Sequence, residues 1–198
     1  MVSGFGRTGQ FFGHLHWGVK PDIITFAKGI SSGYLPLAAT VVRENIFEAF
    51  YGEPGTLRHF RQINTYGGHP VACAVGLKNI EIIERESLTE NARSVGSYLQ
   101  SKLEGLLAHP YVGVVRGRGL LLGVELVKDK ESKEPMSADE TNAIVQHCAK
   151  NGVMIGRHGN TIPGLCNVLI FAPPLVLQNS EADMIFDALS NALQQALN

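Results

Sequence analysis

The chain has 198 residues, 44% of them hydrophobic and 18% charged, a balance that builds a globular core and excludes a disordered or fibrous chain. A net charge of −1 and a pI near 6.6 give no basic footprint for nucleic acid or an anionic membrane surface, which leaves small molecules as the default partners. Cys73, Cys148 and Cys166 are odd in number and far apart, which argues against a disulfide framework or a metal site and for a reduced, cytoplasmic setting.

Residues 1–18 read as irregular chain. Gly4-Phe-Gly-Arg-Thr-Gly9 satisfies the pattern G-x-G-x-x-G, but a dinucleotide site needs a strand before it and a helix after it. Three residues cannot make that strand, and Gly13 and Gly18 interrupt any helix. His14 and His16 alternate without further ligands at metal spacing, so they read as loop.

The stretch from Pro21 to Gly33 organises the rest of the chain. An apolar run rich in β-branched residues reads as a buried strand that stops at Lys28, and Gly29, Ser31, Ser32 and Gly33 let a flat ligand approach the backbone. An amine held at the mouth of an apolar strand, partly out of water, loses its proton more readily than a free lysine and attacks carbonyls, which is Schiff-base chemistry. The competing reading is an ordinary solvated lysine. The other lysines, at 20, 78, 102, 128, 130, 133 and 150, lie among polar residues or in helical patterns.

Residues 35–42 are nearly all apolar and predict a second strand buried on both faces, as in a sheet covered by helices. A short helix is expected over 44–51, then an irregular link over 58–68 carrying His59, Arg61, Asn64, Thr65 and Tyr66. A long helix comes next over 70–86, with Pro70 in its first turn and Val71, Val75, Ile82 and Ile83 inward. Ser87 with Glu90 has the form of a capping box for a helix carrying Leu88, Ala92, Val95, Leu99, Leu103 and Leu106, and a domain boundary is placed there. Residues 112–115 and 120–127 predict strands around Arg116-Gly-Arg-Gly119, and 129–135 a solvated charged turn.

Ser137 and Glu140 form a second capping box, for a helix with Thr141, Ile144, Val145 and Cys148 on one face, ended by Asn151-Gly152. Short strands over 153–155 and 168–171 flank a glycine-bearing loop. Ser180 with Asp183 opens a last helix striped by Ala182, Ile185, Phe186, Leu189, Leu193 and Leu197. The run at 168–177 is broken by Pro173-Pro174 and is too short to span a bilayer. The fold class is α/β.

With these elements placed, the chain resembles the class III aminotransferases, pyridoxal-phosphate enzymes of fold type I. The resemblance is carried, in family order, by Gly4-Phe-Gly-Arg-Thr-Gly9, Pro21-Asp-Ile-Ile-Thr-Phe-Ala-Lys28, Asn64-Thr-Tyr-Gly-Gly-His-Pro-Val-Ala-Cys-Ala74, Arg116-Gly-Arg-Gly119 and Ala172-Pro-Pro-Leu175. It implies that residues 1–90 are the C-terminal part of the large, cofactor-binding domain, with an incomplete sheet, and that residues 91–198 are the small C-terminal α/β domain. It also implies pyridoxal 5′-phosphate as cofactor, a homodimer, and transfer of an amino group from an amine or ω-amino acid to a keto acid such as pyruvate. The Asn64 to His69 phrasing and the Thr161-Ile-Pro-Gly-Leu165 loop are most similar to ω-amino acid or taurine:pyruvate aminotransferases.

By the same resemblance, Lys28 is the lysine that binds the cofactor aldehyde and moves the α-proton as general acid and base. Thr65 matches the threonine that donates to the cofactor phosphate across the dimer interface; local sequence equally accommodates a hydroxyl that caps the helix from Pro70. Arg157 resembles a mobile arginine that grips a substrate carboxylate, a task suited to its planar fork; the local alternative is an exposed loop arginine.

The family's aspartate that keeps the pyridine nitrogen protonated belongs to an Asp-Glu pair just before the Gly-Phe-Gly-Arg segment, where this sequence has Met1-Val-Ser. The phosphate loop at a helix N-terminus, the stacking aromatic and most of the large domain are likewise not in this sequence. The expectation is therefore a C-terminal piece with uncovered strand edges and apolar faces, prone to association and with little or no transaminase activity alone. The alternative is a non-catalytic fragment or subunit that requires a companion N-terminal chain. A nicotinamide-dependent oxidoreductase built on Gly4 to Gly9 would need nucleotide binding.

Overall fold

The computed structural model describes residues 2–159, 162 and 164–196. Gly4 to Gly9 folds as consecutive turns closed by a bridge between Gly4 and Phe12, and a 3-10 helix, Gly13–Trp17, comes after it. Neither the strand nor the α-helix of a dinucleotide site flanks the glycines. Strand β1 (Ile23–Phe26) pairs antiparallel with β2 (Ala39–Val42) in a two-stranded sheet. The strand expected over 35–42 thus keeps only its last four residues. Pro36 has no N–H for a ladder, and the Leu35 carbonyl is taken by the Ser31 hydroxyl at 2.7 Å. Nor is it buried on both faces: Val41 and, on the paired strand, Ile23 are each half exposed, with no third strand beside them among the described residues.

Helix α1 (Glu44–Glu48) is shorter than expected, and every residue from 47 to 71 is exposed. Helix α2 (Pro70–Arg85) has Pro70 in its first turn, where the missing N–H costs nothing. Its buried face is Ala72, Gly76 and Ile83, while Val71, expected inside, is exposed. The small residues are needed there because a Cβ at Gly76 would lie 2.7 Å from Leu37 Cδ2.

Helix α3 (Leu88–Gly105) begins at once, and the capping box expected at Ser87 and Glu90 does not form. Ser87 sits at φ +52° to reverse the chain between the two helices, its side chain caps nothing, and Glu90 pairs with Arg93 instead. Strands β3 (Val112–Arg118) and β4 (Leu121–Leu126) make a hairpin, and helix α4 (Ala138–Lys150) starts on the expected Ser137–Glu140 box. Strand β5 (Gly156–Arg157) lies just beyond the stretch where a strand was expected, and β6 (Val168–Phe171) where it was. Helix α5 (Asn179–Gln195) begins on Gln178, whose N–H donates to Glu181 at 2.8 Å. Asp183, expected in the cap, instead accepts from Tyr98 and pairs with Lys102, tying α5 to α3. Leu197 of the expected stripe lies outside the described residues.

The second sheet is antiparallel throughout, in the order β3-β4-β6-β5. One of its residue rows runs Val115, Val124, Leu169, Arg157, and Val124 and Leu169 are fully buried. With Leu99 and Leu103 of α3, Ile144 and Cys148 of α4, and Leu189 and Leu193 of α5 they form the core, which draws its buried members from residues 92–193. Among the described residues no helix is long and apolar enough to cross a membrane.

Candidate active site

Beyond β1 the backbone stays extended through Ala27, then turns at Lys28, which sits at φ +54° and opens a single 3-10 turn, Lys28–Ile30. Left-handed backbone at a lysine costs on the order of 1 kcal/mol and persists only where neighbours over-determine it. Here they do. Asn79 of α2 donates to the carbonyls of Gly29 and Ile30 at 2.8 and 3.2 Å, and the Ser31 N–H donates to the Lys28 carbonyl at 3.2 Å. Ser31 is 1% exposed. Beneath the turn lies Phe5, 5% exposed, so close that a Cβ at Gly29 would meet its ring at 3.2 Å. Phe5 in turn packs edge-on against Phe26 at 5.5 Å and Phe12 at 5.8 Å.

The turn forms one side of a cavity of about 490 Å³, shared with Phe5, Arg7, Asn79 and Ile82, and with Pro174 beyond β6. Lys28 is exposed there, and its amine makes no ion pair or side-chain hydrogen bond with the described residues. It is therefore not withdrawn from water within this chain, as its position after an apolar strand suggested. A lysine on the wall of a second cavity, Lys128, is by contrast paired with Glu134 at 3.4 Å. An unpartnered primary amine opening into a cavity, beside a small-residue turn, fits condensation with an aldehyde. Gly33 at the end of the turn has nothing within 4 Å of the position of a Cβ, which leaves that side open to a ligand.

Arg7 closes the far wall. Its Nη1 donates to the Leu120 carbonyl at 3.3 Å and to the Pro173 carbonyl, and its own carbonyl accepts from Leu120 N–H at 3.0 Å. Burial holds its pKa below the usual guanidinium value.

Thr65 is exposed, in a turn closed by the Gly67 N–H to the Asn64 carbonyl at 2.9 Å. It is not on the wall of the Lys28 cavity. Neither does it cap α2: the residue at the cap is His69, with no side-chain cap bond. Arg157 is on strand β5 rather than in a loop, half-buried, with its Nη1 buried and lacking a hydrogen-bond partner among the described residues. It too is off the cavity wall that carries Lys28. The Thr161 loop contains residues outside those described. His14 Nδ1 lies 2.8 Å from the Val19 carbonyl and His16 Nε2 3.0 Å from the Thr8 carbonyl.

Sequence reasoning assigned no role to Phe5, Arg7 or Asn79, and read Ser31 only as a small residue beside which a ligand could approach the backbone. Asn79 is 50 residues from Gly29, and Arg7 is 113 and 166 residues from its carbonyl partners. An asparagine on a helix face leaves no local mark of such a contact.

The sequence and the fold both have close counterparts. A family model for class III aminotransferases matches residues 1–193. An uncharacterised aminotransferase, YhxA, of Bacillus subtilis is 50% identical over 194 residues, which are 98% of this chain and 43% of that protein. A taurine–pyruvate aminotransferase of Bilophila wadsworthia is 43% identical over 97% of this chain and 42% of its own length. Among solved structures, a Bacillus anthracis aminotransferase superposes with a TM-score of 0.94 at 50% identity, over 98% of this chain and 43% of that one. An amine transaminase from an uncultivated Pseudomonas species, solved with PLP bound, gives 0.89 at 37% identity, over 98% and 43%. The chain thus spans under half the length of the curated relatives it matches.

Proposed function

Because the chain belongs to the class III aminotransferase family, whose cofactor is pyridoxal 5′-phosphate, we propose that it carries the lysine-bearing part of an enzyme that moves an amino group from an amine or ω-amino acid to a keto acid such as pyruvate. The observation that carries this reading is the unpartnered Lys28 amine on the wall of the 490 Å³ cavity. When bound, the cofactor supplies an electron sink for charge developing on the substrate carbon. Lys28 would hold the cofactor by its aldehyde, and its amine would serve as the base and acid that moves a proton at the substrate carbon bearing the amino group. The turn clamped by Asn79 fixes where that amine stands.

Thr65 would donate its hydroxyl to the cofactor phosphate of a second copy, a role supported by its exposure and by its absence from the wall of its own chain's Lys28 cavity. The exposed stretch over 47–71, with Phe60, Ile63 and Tyr66, is the face through which two copies meet. Arg157 serves the substrate carboxylate, a role supported by an Nη1 that has no hydrogen-bond partner among the described residues and would gain one from a carboxylate. Residues 1–90 form the cofactor side and 91–198 the small domain, in keeping with a core confined to the latter. The three cysteines, none of them in a disulfide and with the Cys148 thiol pushed up to about 11 by burial, suit a reducing cytoplasmic setting.

A second reading is supported by the 43% coverage of the relatives: a fragment or subunit that transaminates only with a companion N-terminal chain. One experiment tests the site. The chain is titrated with pyridoxal phosphate, treated with borohydride, and the label located by peptide mass. Label is expected to concentrate on Lys28 over the seven other lysines and to disappear from that peptide in Lys28→Ala. Uniform labelling of all lysines overturns the assignment. Turnover of amine plus pyruvate at ordinary enzyme rates by the chain alone removes the second reading.

A further inference from the structure

The six-residue segment Gly4 to Gly9 has the look of a nucleotide motif and none of its surroundings, yet two of its three glycines, Gly6 and Gly9, are under unusually tight steric demand. A Cβ on Gly9 would lie 2.9 Å from Arg93 Cβ on α3, and one on Gly6 would lie 3.0 Å from Thr89 Oγ1. Both glycines have positive φ, +79° and +88°, so a side chain is refused on conformational grounds as well. The β3–β4 turn presses on the segment from the other side: a Cβ on Gly119 would stand 2.4 Å from the Thr8 carbonyl carbon and 2.6 Å from Gly9 N. Gly119 is itself backed by α3, where a Cβ on Gly96 would be 2.2 Å from the Gly119 carbonyl carbon. Three backbones are therefore stacked at distances that only glycine allows. The Arg7 side chain and backbone fasten the stack to Leu120 and Pro173.

The other end of the segment reaches the site. Phe5 stands between Gly4 and Gly6 at φ +55°, buried, with its ring under Gly29 and against Phe26 at the end of β1. A rigid strap thus runs from the helix-and-sheet half of the molecule to the residue next to Lys28. We infer that Gly4 to Gly9 is a positioning strap, and that Phe5 is the positioning residue through which the docking of α3 and the β3–β4 turn sets the Lys28 turn. The inference rests on the reading of Lys28 as the amine that holds the cofactor, but its mechanical part does not.

The test reads the turn by a method that needs no cofactor. Amide hydrogen exchange is followed in the full chain at residues 28–32 and, as an internal control, in α4, which packs on α5 and β5. Two variants are compared with the parent: Phe5→Ala, which removes the ring beneath Gly29, and Gly119→Ala, which forces the strap away from the far side. Both are expected to speed exchange at 28–32 at least about tenfold, the factor equivalent to about 1.4 kcal/mol of local stability, with α4 unchanged. Phe5→Leu, which keeps an apolar side chain there, is expected to recover most of the protection. The borohydride label at Lys28, taken as a ratio to that at Lys150, is expected to fall in the same two variants and to return in Phe5→Leu.

Exchange at 28–32 that stays at the parent rate in both alanine variants overturns the strap. So does loosening of α4 in step with 28–32 in both, because the segment would then hold the whole fold and not the turn. Where Gly119→Ala alone loosens α4, Phe5→Ala decides. A parent chain without preferential label at Lys28 overturns the cofactor assignment, while the exchange result still decides the strap.

Discussion

The two halves of this chain are built to different standards of closure. From residue 88 onward, helices α3, α4 and α5 cover one face of a four-stranded sheet, and Leu99, Leu103, Val124, Leu169, Leu189 and Leu193 are removed from water altogether. Before residue 88 a two-stranded sheet stands with Ile23 and Val41 half exposed, and the 47–71 stretch has no buried residue. A two-stranded ribbon has marginal stability in water, whereas a core of interlocked leucines has a stability of its own. Lys28 sits where the halves meet, on a strained turn held by α2 from one side and by the strap from the other. An amine placed at such a seam depends on the closed half for position and on the open half for access.

The sharpest way to break that contrast is to damage the closed half. Leu99→Ala empties most of a side-chain site that has no solvent exposure, and a loss of about 3–5 kcal/mol is expected in urea unfolding followed by far-UV circular dichroism. A loss under about 1 kcal/mol would mean that the helices and the sheet do not share one cooperative core. The comparison also predicts that the loss appears in α3, α4 and α5 together, since Leu99 packs in the cluster to which all three contribute.

Legibility in the sequence divides along the same line. The Ser137–Glu140 box was legible because all of its atoms lie within one turn of helix, and the stripes of α3 and α5 because a closed core enforces helical periodicity on residues near in sequence. Ser87 with Glu90 shows the same letters and forms no box, since the reversal between α2 and α3 needs Ser87 in the left-handed region. In the open half the apolar residues misled: 35–42 read as a buried strand because apolarity signals burial without saying what does the burying. The position of Lys28 just beyond β1, before a small-residue run, was legible. Its exposure, the Asn79 clamp and the Phe5 wedge were not, because each depends on contacts between segments distant in sequence.

A smaller effect should appear on acidification, again from the closed half. The His109 Nδ1 accepts from the Tyr111 N–H at 3.3 Å, and burial, with a lesser contribution from the Lys130 charge, holds its pKa below the usual imidazole value; the backbone of Leu193 works in the opposite sense. A depressed histidine favours the folded state while it is neutral. That contribution is complete above the ordinary value near about 6.5 and is lost as pH falls from there through the lower folded-state value, because the unfolded chain takes the proton first. The thermal midpoint is therefore expected to be lower at pH 5.5 than at pH 7.5, and the difference to shrink in His109→Gln. An identical slope in the variant would assign the pH dependence elsewhere.

The smallest expected effect on folding is also the most informative about the open half. Phe60 is 68% exposed, with its ring edge-on against Phe50 at 5.4 Å, and Ile63 is 88% exposed, so the two gain little hydrophobic free energy from the fold of a single chain. Replacing both with serine should leave the unfolding free energy within about 0.5 kcal/mol of the parent at dilute concentration. The same change should weaken self-association measured by sedimentation velocity, because an apolar face that a single chain leaves in water is what a second copy would cover. If folding stability falls by several kcal/mol instead, the 47–71 stretch packs against its own chain and the contrast between the halves is wrong. If stability holds but association persists undiminished, the halves do differ as described and the copies meet through another face, with β1 and β2 and their exposed Ile23 and Val41 the next to substitute.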